Sequence, residues 1–123
     1  MDLGRKITGG KYHQRRKKRL HEFKSQPRVV KLGTVKRKCL RIRSGSCKTI
    51  LMSTDIANVL DKKTNKIKQA KIKNVIETPS NRFLARQNIL VKGAVIETEL
   101  GKARVTNRPS QEGSVHAVLL ENQ

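Results

Sequence analysis

The stretch 94–106, Ala-Val-Ile-Glu-Thr-Glu-Leu-Gly-Lys-Ala-Arg-Val-Thr, carries the clearest structural signal in the chain. Apolar and polar residues alternate on both sides of Leu100-Gly101, which is typical of two antiparallel strands joined by a tight turn. A two-residue loop would pair Ile96 with Val105 and Thr98 with Ala103 on one face, and Glu97 with Arg104 and Glu99 with Lys102 on the other. Leu-Gly also suits a type I turn with a bulge, so the register stays open by one residue.

Similar short strands are predicted on both sides of this hairpin. Residues 34–43 and 47–53 flank the turn signal Ser44-Gly45-Ser46, and residues 66–77 alternate until Pro79. Residues 55–60 are compatible with one helical turn and residues 61–65 with a polar turn, whereas residues 80–93 form a loop and a short strand at 88–91. A last strand is predicted from Val115 to Leu120. About six strands with a core of Val, Ile, Leu and Ala indicate a mainly β fold, a small antiparallel β-barrel-like body over residues 34–123.

Residues 1–33 differ from this body because they hold almost no material for a core. Like charges crowd residues 15–19, and Gly9-Gly10 and Pro27 interrupt the segment. We expect an extended basic arm that is disordered when free and folds on its partner, with a short helix around residues 12–24 once phosphates screen the charge.

The charge of the chain points to a polyanionic partner. Lys and Arg number 29 against 9 acidic residues, a net charge of +20. Residues 1–48 hold 17 basic and 2 acidic side chains, so three quarters of the excess lies there. So large an excess of positive charge makes a free protein repel itself, and it is expected only where a polyanionic partner neutralises the charge. No run approaches the roughly 20 apolar residues of a membrane span, and we expect no signal peptide because the N-terminus lacks an apolar region. Nucleic acid inside a cell is the predicted partner.

The strongest binding signal is the segment Arg5-Lys-Ile-Thr-Gly-Gly-Lys-Tyr-His-Gln-Arg-Arg-Lys-Lys-Arg19. Its glycines let the backbone approach another chain closely, and its cations can replace phosphate counterions. A solvated charge run or a localisation signal is the alternative, but the basic excess continues well beyond the segment. The predicted contacts are Arg5, Lys6, Thr8, Gly9, Gly10, Lys11, Arg15, Arg16, Lys17, Lys18, Arg19, Lys24, Arg28, Lys31, Lys36, Arg37, Lys38, Arg41 and Arg43. A second group is Asn81, Arg82, Arg86 and Lys92, for which surface solubility is the alternative.

The residue types favour a folded RNA over DNA or a single strand. The chain has one Tyr, two Phe and no Trp, so base-stacking platforms are scarce, with only Phe83 in the body. No helix-turn-helix or zinc-finger pattern is present. Phosphate and shape recognition remains. The rival functions are a DNA-compacting chromatin protein and a small RNA-processing enzyme.

Little in the sequence indicates catalysis or metal binding. Glu97 and Glu99 share a strand face, but cross-strand pairing with Arg104 and Lys102 explains them. Gly9-Gly10-Lys11 lacks P-loop spacing, and His13, His21 and His116 lack a nucleophile at any recognisable motif. Cys39 and Cys47 lack the spacing of a Cys₂His₂ zinc finger and are expected to be reduced, semi-buried strand residues. We therefore expect no enzyme, no cofactor, no metal and no small-molecule substrate.

Several segments together resemble a known family. These are Arg5-Lys-Ile-Thr-Gly-Gly10, Lys17-Lys-Arg19, Glu22-Phe23, Thr78-Pro-Ser-Asn-Arg82, Lys92-Gly-Ala94, Ile96 to Pro109, Glu112-Gly113 and Val115 to Leu120. The chain is similar over its whole length to ribosomal protein eight of the archaeal and eukaryotic small subunit, which is distinct from the bacterial-type universal protein of the same number. Its shortness resembles the archaeal form.

The resemblance implies a cytoplasmic ribosomal protein with a compact barrel-like body and a basic extension buried in small-subunit rRNA. Its implied partners are small-subunit rRNA and neighbouring small-subunit ribosomal proteins, and we expect no homo-oligomer. The matched functional residues are Arg5, Lys6, Thr8, Gly9, Gly10 and the basic run. The chain departs from the family pattern at Phe23-Lys24-Ser25, where members usually show Leu-Gly-Arg after the glutamate, and at Arg43-Ser44-Gly45-Ser46, where they usually show Arg-Gly-Gly-Asn.

Overall fold

The computed structural model describes residues 4–120, so residues 1–3 of the predicted arm and 121–123 of the predicted body lie outside the described residues. Its strands are β1 Lys31–Leu32, β2 Lys36–Arg41, β3 Cys47–Thr54, β4 Ile56–Asp61, β5 Lys66–Glu77, β6 Val95–Thr98, β7 Gly101–Val105 and β8 His116–Leu119. Its helices are α1 Arg82–Arg86, α2 Pro109–Glu112 and two 3₁₀ turns, Leu20–Glu22 and Arg43–Gly45. No described helix has the length and apolar character needed to cross a membrane.

Five strands close into a barrel in the order β4-β5-β6-β7-β8. Neighbouring strands are antiparallel except at the closure, where β4 and β8 run parallel and Val59 pairs with Ala117. The interior of so small a barrel is narrow, and alanines at several inward positions suit that space. The buried alanines of the core are Ala57, Ala70, Ala94, Ala103 and Ala117. The predicted mainly β, barrel-like fold and its aliphatic core are thus confirmed, with a parallel ladder at the closure.

A second sheet, in the order β1-β3-β2, packs against the barrel. Leu51 of β3 belongs to the same buried cluster as the barrel residues. So does Val30, which is fully buried although it precedes the predicted body. The chain around Val30 is held on two sides: β1 pairs with the end of β3, and the N–H of Leu90 donates to the carbonyl of Val30 at 2.8 Å. We therefore refer to residues 4–29 as the N-terminal segment and to residues 30–120 as the described body.

The central hairpin forms, but its predicted register is wrong. Ile96 pairs with Ala103 and Glu97 with Lys102, which places Glu99-Leu100 in the loop. The shift from the predicted pairs is two residues, so every side chain keeps its face and the alternation could not detect the error. Gly101 closes the turn at φ 125, a conformation that glycine adopts without strain.

Three local predictions are also corrected. Residues 55–60 do not form a helical turn, because Ile56–Asp61 pairs along its whole length with β5 and this cross-strand pairing overrides local propensity. Residues 80–93 contain helix α1, whose signal was the N-cap Asn81 ahead of Arg-Phe-Leu-Ala-Arg. Residues 88–91 form a single bridge, between Lys31 and Ile89, instead of a strand. The predicted strands at residues 34–43, 47–53, 66–77 and 115–120 form with slightly different ends. Within residues 12–24 the structure has the 3₁₀ turn Leu20–Glu22, and a helix on a bound partner stays a prediction.

Candidate nucleic-acid interface

The first predicted contact segment forms a small turn held by its own backbone. The N–H of Gly9 donates to the carbonyl of Lys6 at 2.9 Å, and the N–H of Lys6 donates to Gly10 at 2.8 Å. Gly9 lies at φ 82, where a side chain would be strained. The Arg5 guanidinium donates to the Gly9 carbonyl at 3.1 Å, and the Lys6 ammonium lies 5.6 Å from the Tyr12 ring. Glycine is therefore required here by a positive φ within a defined turn.

The basic run at residues 15–19 is joined to the only acidic residue of the described N-terminal segment. The Glu22 carboxylate forms an ion pair with Arg16 and accepts from the backbone N–H of Arg19 at 2.8 Å. The Arg16 guanidinium, and then the Arg19 N–H, hold the pKa of Glu22 below its usual range. Arg15, Lys17, Lys18 and Arg19 make no side-chain ion pair with another described residue. The run thus keeps most of its charge available for a partner.

A second group of predicted contacts lies on β2, an edge strand of the three-stranded sheet. Lys36, Arg37, Lys38 and Arg41 are all exposed, and a register shift follows Lys36. Arg43 follows in the 3₁₀ turn, where Ser44 has φ 63. Charged side chains on an edge strand also oppose pairing with other sheets. The strand therefore presents a row of cations that does not depend on the N-terminal segment.

The structure brings Arg82 and Arg86 together but separates them from Lys92. The two arginines lie one helical turn apart on α1 and line a cavity of about 570 Å³ between α1 and β5. Asn81 acts as the N-cap, because its side-chain oxygen accepts from the N–H of Phe83 at 3.0 Å. Lys92 does not line this cavity. Its charge acts elsewhere: the pKa of Glu112 is lowered mainly by the hydrogen bond from Asn107, and the Lys92 ammonium adds a smaller contribution.

Sequence reasoning missed two sets of residues. The first is the lysines of the β4–β5 hairpin, which are exposed on β5 and its turn and whose only signal was their number. They are Lys62, Lys63, Lys66, Lys68, Lys71 and Lys73. The second set is the polar lining of the cavity, Asn74, Thr78 and Asn88. No sequence pattern predicts that these three meet.

Among residues 4–120, Ser114 and His116 form a contact that the neighbouring Glu112 carboxylate does not extend. Ser114 Oγ lies 2.9 Å from His116 Nε2, a contact that the sequence did not predict. The neighbouring carboxylate of Glu112 instead accepts from Asn107 and from the N–H of Arg108. Glu99 lies in a turn and does not face Lys102. Within residues 4–120 no group of three or more His, Cys, Asp or Glu residues could hold a metal ion.

Cys39 and Cys47 lie on β2 and β3, but they are exposed, so the semi-buried prediction is wrong. The cause is that Cys39 lies on the edge strand β2, whereas Cys47 begins β3 at the end that β1 does not cover, because β1 pairs only with Ser53 and Thr54. A hydrogen bond with Cys47, followed by burial, raises the pKa of the Cys39 thiol.

Comparison with known proteins decides the family. The sequence pattern of the family Ribosomal protein S8e matches residues 2–120. This chain belongs to the ribosomal protein S8e family. The family match covers both the N-terminal segment and the body, in agreement with the resemblance seen in the sequence.

Relatives of the S8e family from archaea support the assignment. The small ribosomal subunit protein eS8 of Ignicoccus hospitalis is 47% identical over 121 residues, 97% of this chain and 93% of the relative. The eS8 protein of Sulfurisphaera tokodaii is 44% identical over 120 residues, 95% and 92% of the two chains. That of Methanocorpusculum labreanum is 43% identical over 117 residues, 95% and 94%. The S8e chain is thus a ribosomal protein of the small subunit of the archaeal type.

Proposed function

We propose that this chain binds small-subunit rRNA through phosphate and shape contacts, stabilises its folded form and supports subunit assembly and translation. Its role is structural rather than catalytic, in the cytoplasm and beside neighbouring small-subunit proteins. One observation carries the proposal. Every basic residue of the N-terminal segment is exposed, and the only acidic residue there is already paired with Arg16.

The positive charge of the N-terminal segment has no matching negative surface elsewhere in residues 30–120, and phosphates can supply that negative charge. The C-terminal residues 93–123 hold 3 basic and 4 acidic side chains, too few charges to neutralise the segment. A polyanion that releases counterions on binding supplies the missing partner. The turn at Lys6–Gly10 and the basic run lie in sequence, so a single RNA groove or junction can contact both.

The β2 edge and the β4–β5 hairpin extend the proposed contact onto the body. Both place cations on rigid strands, where less conformational entropy is lost on binding. Arginine forks on β2 suit bidentate phosphate contacts, and the lysines of the hairpin act as point charges. The proposal therefore has two parts, a dense N-terminal segment that supplies affinity and a body that fixes orientation.

The test compares two variants that lose the same charge. In the first, Arg15, Arg16, Lys17, Lys18 and Arg19 are changed to Gln; in the matched control, Lys62, Lys63, Lys66, Lys68 and Lys71 are changed to Gln. Binding to purified small-subunit rRNA is measured at several salt concentrations. The first variant is expected to reduce the slope of log K against log salt by up to about four units, since each phosphate contact contributes about 0.7–0.9. The control is expected to reduce it by less.

Two results would contradict the proposal. Equal losses in the two variants would show that the basic run has no special part in binding. Sedimentation of a cell lysate supplies the second: the intact chain should travel with small subunits, and its presence with the nucleoid instead would favour a DNA-compacting role.

A further inference from the structure

The cavity between α1 and β5 has features that a general basic surface does not require. It measures about 570 Å³, within the range of about 300–1,000 Å³ typical of small-molecule sites and larger than a lone phosphate needs. Arg82 and Arg86 stand on one side, and Asn74, Glu77 and Thr78 contribute polar groups from β5 and the residue after it. Cations and neutral hydrogen-bonding groups therefore meet in one concave site.

The walls of this cavity are fixed by hydrogen bonds. Helix α1 is capped at its start by Asn81. At its other end Asn88 adopts the left-handed conformation at φ 51, and its N–H donates to the carbonyl of Ala85 at 2.9 Å. The N–H of Val75 on β5 donates to the side-chain oxygen of Asn74 at 2.9 Å and, more weakly, to that of Asn88 at 3.4 Å. Helix and strand are thus tied together across the cavity, so the site exists before any ligand binds.

Three polar side chains of the cavity, those of Arg82, Arg86 and Thr78, lack partners within the described chain. The guanidinium groups of Arg82 and Arg86 form no hydrogen bond or ion pair with another described residue. Thr78 is 1% exposed, and its hydroxyl is buried without a hydrogen-bond partner among residues 4–120. An unsatisfied buried hydroxyl is unfavourable, with a penalty of about 1–3 kcal/mol in proteins generally. The hydroxyl can reach a ligand in the cavity only after the Thr78 side chain rotates towards it, and a hydrogen bond made there would remove that penalty.

We propose that this cavity receives one unpaired nucleotide of RNA. Its phosphate lies between Arg82 and Arg86, and its base faces Asn74, Asn88 and Thr78. Amide groups and a hydroxyl can both donate and accept, as the edge of an unstacked base requires. The Glu77 carboxylate can accept from a ribose hydroxyl or a base amino group. The inference rests on the proposed rRNA binding and adds a site for a base extruded from the helix.

The test uses the full chain and two RNA hairpins that differ in one unpaired bulged nucleotide. We expect the chain to bind the bulged hairpin about tenfold more tightly than the fully paired one, as a single good base contact can provide. R82Q/R86Q is expected to abolish this preference, and its loss of binding to the paired hairpin should match that of a variant lacking two other exposed arginines. R104Q/R108Q removes two exposed arginines elsewhere on the body and should retain the preference.

Thr78→Val provides a second test, because it should raise the stability of the free protein and lower its affinity for the bulged hairpin. Valine has nearly the same shape and removes the unpartnered hydroxyl, so the free protein should melt a few degrees higher. Affinity for the bulged hairpin should nevertheless fall about fivefold to tenfold, because a polar base edge is left without a partner. A purely structural role for Thr78 would change the melting temperature and leave RNA binding unaffected.

The outcomes separate this inference from the proposed function. Absence of binding to either hairpin, or to rRNA, would overturn the proposed function itself. Binding to both hairpins without preference, or a preference that survives R82Q/R86Q, would overturn the nucleotide site alone. Competition by a polyglutamate peptide equal to that by the bulged hairpin would assign the cavity to an acidic protein partner and likewise overturn it.

Discussion

The N-terminal segment and the body use positive charge in different ways. The N-terminal segment, residues 4–29, concentrates its cations in sequence, and its described bonds join residues no more than six positions apart. The body brings Arg82 and Arg86 to residues 74–78 through a helix cap, a left-handed asparagine and a strand. Its buried core spans Val30 to Ala117.

The difference concerns what each region can recognise. A dense run of cations binds any phosphate chain of suitable shape, with an affinity that depends strongly on salt. Two arginines beside a fixed polar cavity can distinguish one nucleotide from another, because the alternative leaves groups unpaired. Under the two proposals, the region without a scaffold supplies affinity and the region with a scaffold supplies selectivity.

The largest expected effect concerns the boundary between the two regions. A chain starting at residue 30 should have nearly the same free energy of unfolding as the full-length chain. For a chain starting at residue 34, the free energy of unfolding should be lower by about 3–5 kcal/mol. This shorter chain lacks fully buried Val30 and partly buried Leu32, and each buried aliphatic side chain contributes about 1.5–3 kcal/mol. Urea denaturation of both truncations checks this. Equal stability would show that the body begins after residue 33, as the sequence suggested.

A smaller effect is expected from alanine at three left-handed glycines. Gly113→Ala should reduce the free energy of unfolding by about 2 kcal/mol, from backbone strain of about 1 kcal/mol and a Cβ only 3.2 Å from the Thr49 carbonyl oxygen. Gly93→Ala has a similar φ, +83 against +74, and open space around it, so it should lose only the strain. Gly9→Ala, in the N-terminal segment, should leave global unfolding unchanged.

Denaturation curves of the three variants rank these effects. A loss from Gly9→Ala comparable to that from Gly93→Ala would show that the N-terminal segment unfolds together with the body. Such a result would contradict the separation between the two regions.

The smallest effect concerns two carboxyl groups, one in each region. The pKa of Glu22 is lowered chiefly by the Arg16 guanidinium. The pKa of Asp61 is lowered first by the N–H of Lys63 and then by the Thr64 hydroxyl. A lowered folded-state pKa stabilises the folded protein above the unfolded pKa, and that contribution is lost as the pH falls from the unfolded-state values, about 4.3 for Glu and 3.9 for Asp, through the lower folded-state values.

NMR titration at low salt and at 1 M salt distinguishes the two causes. Salt should return the pKa of Glu22 towards its usual value, since an exposed ion pair is screened. The pKa of Asp61 should change less, because hydrogen bonds to neutral donors hold it. Equal salt sensitivity would contradict these assignments.

Much of the fold followed from local patterns. The alternation around Ile96 predicted the central hairpin and the faces of its side chains, and the alternation of residues 66–77 predicted β5. The register failed because a shift of two residues preserves every face, so only the backbone geometry of the Glu99-Leu100 loop could distinguish the alternatives. Helix α1 was missed although its N-cap Asn81 was visible in the sequence.

The sequence by itself determined the location of the charge, most of the strands and the family, because composition and period-two alternation are properties of neighbouring residues. Tertiary structure alone decided the parallel closure of β4 on β8, the burial of Val30 and the meeting of Thr78 with Arg82 and Arg86. Each of these features either brings together residues that are far apart in the sequence or depends on how helix α1 packs against strand β5. They are selected by the packing of the whole core, which no single segment encodes.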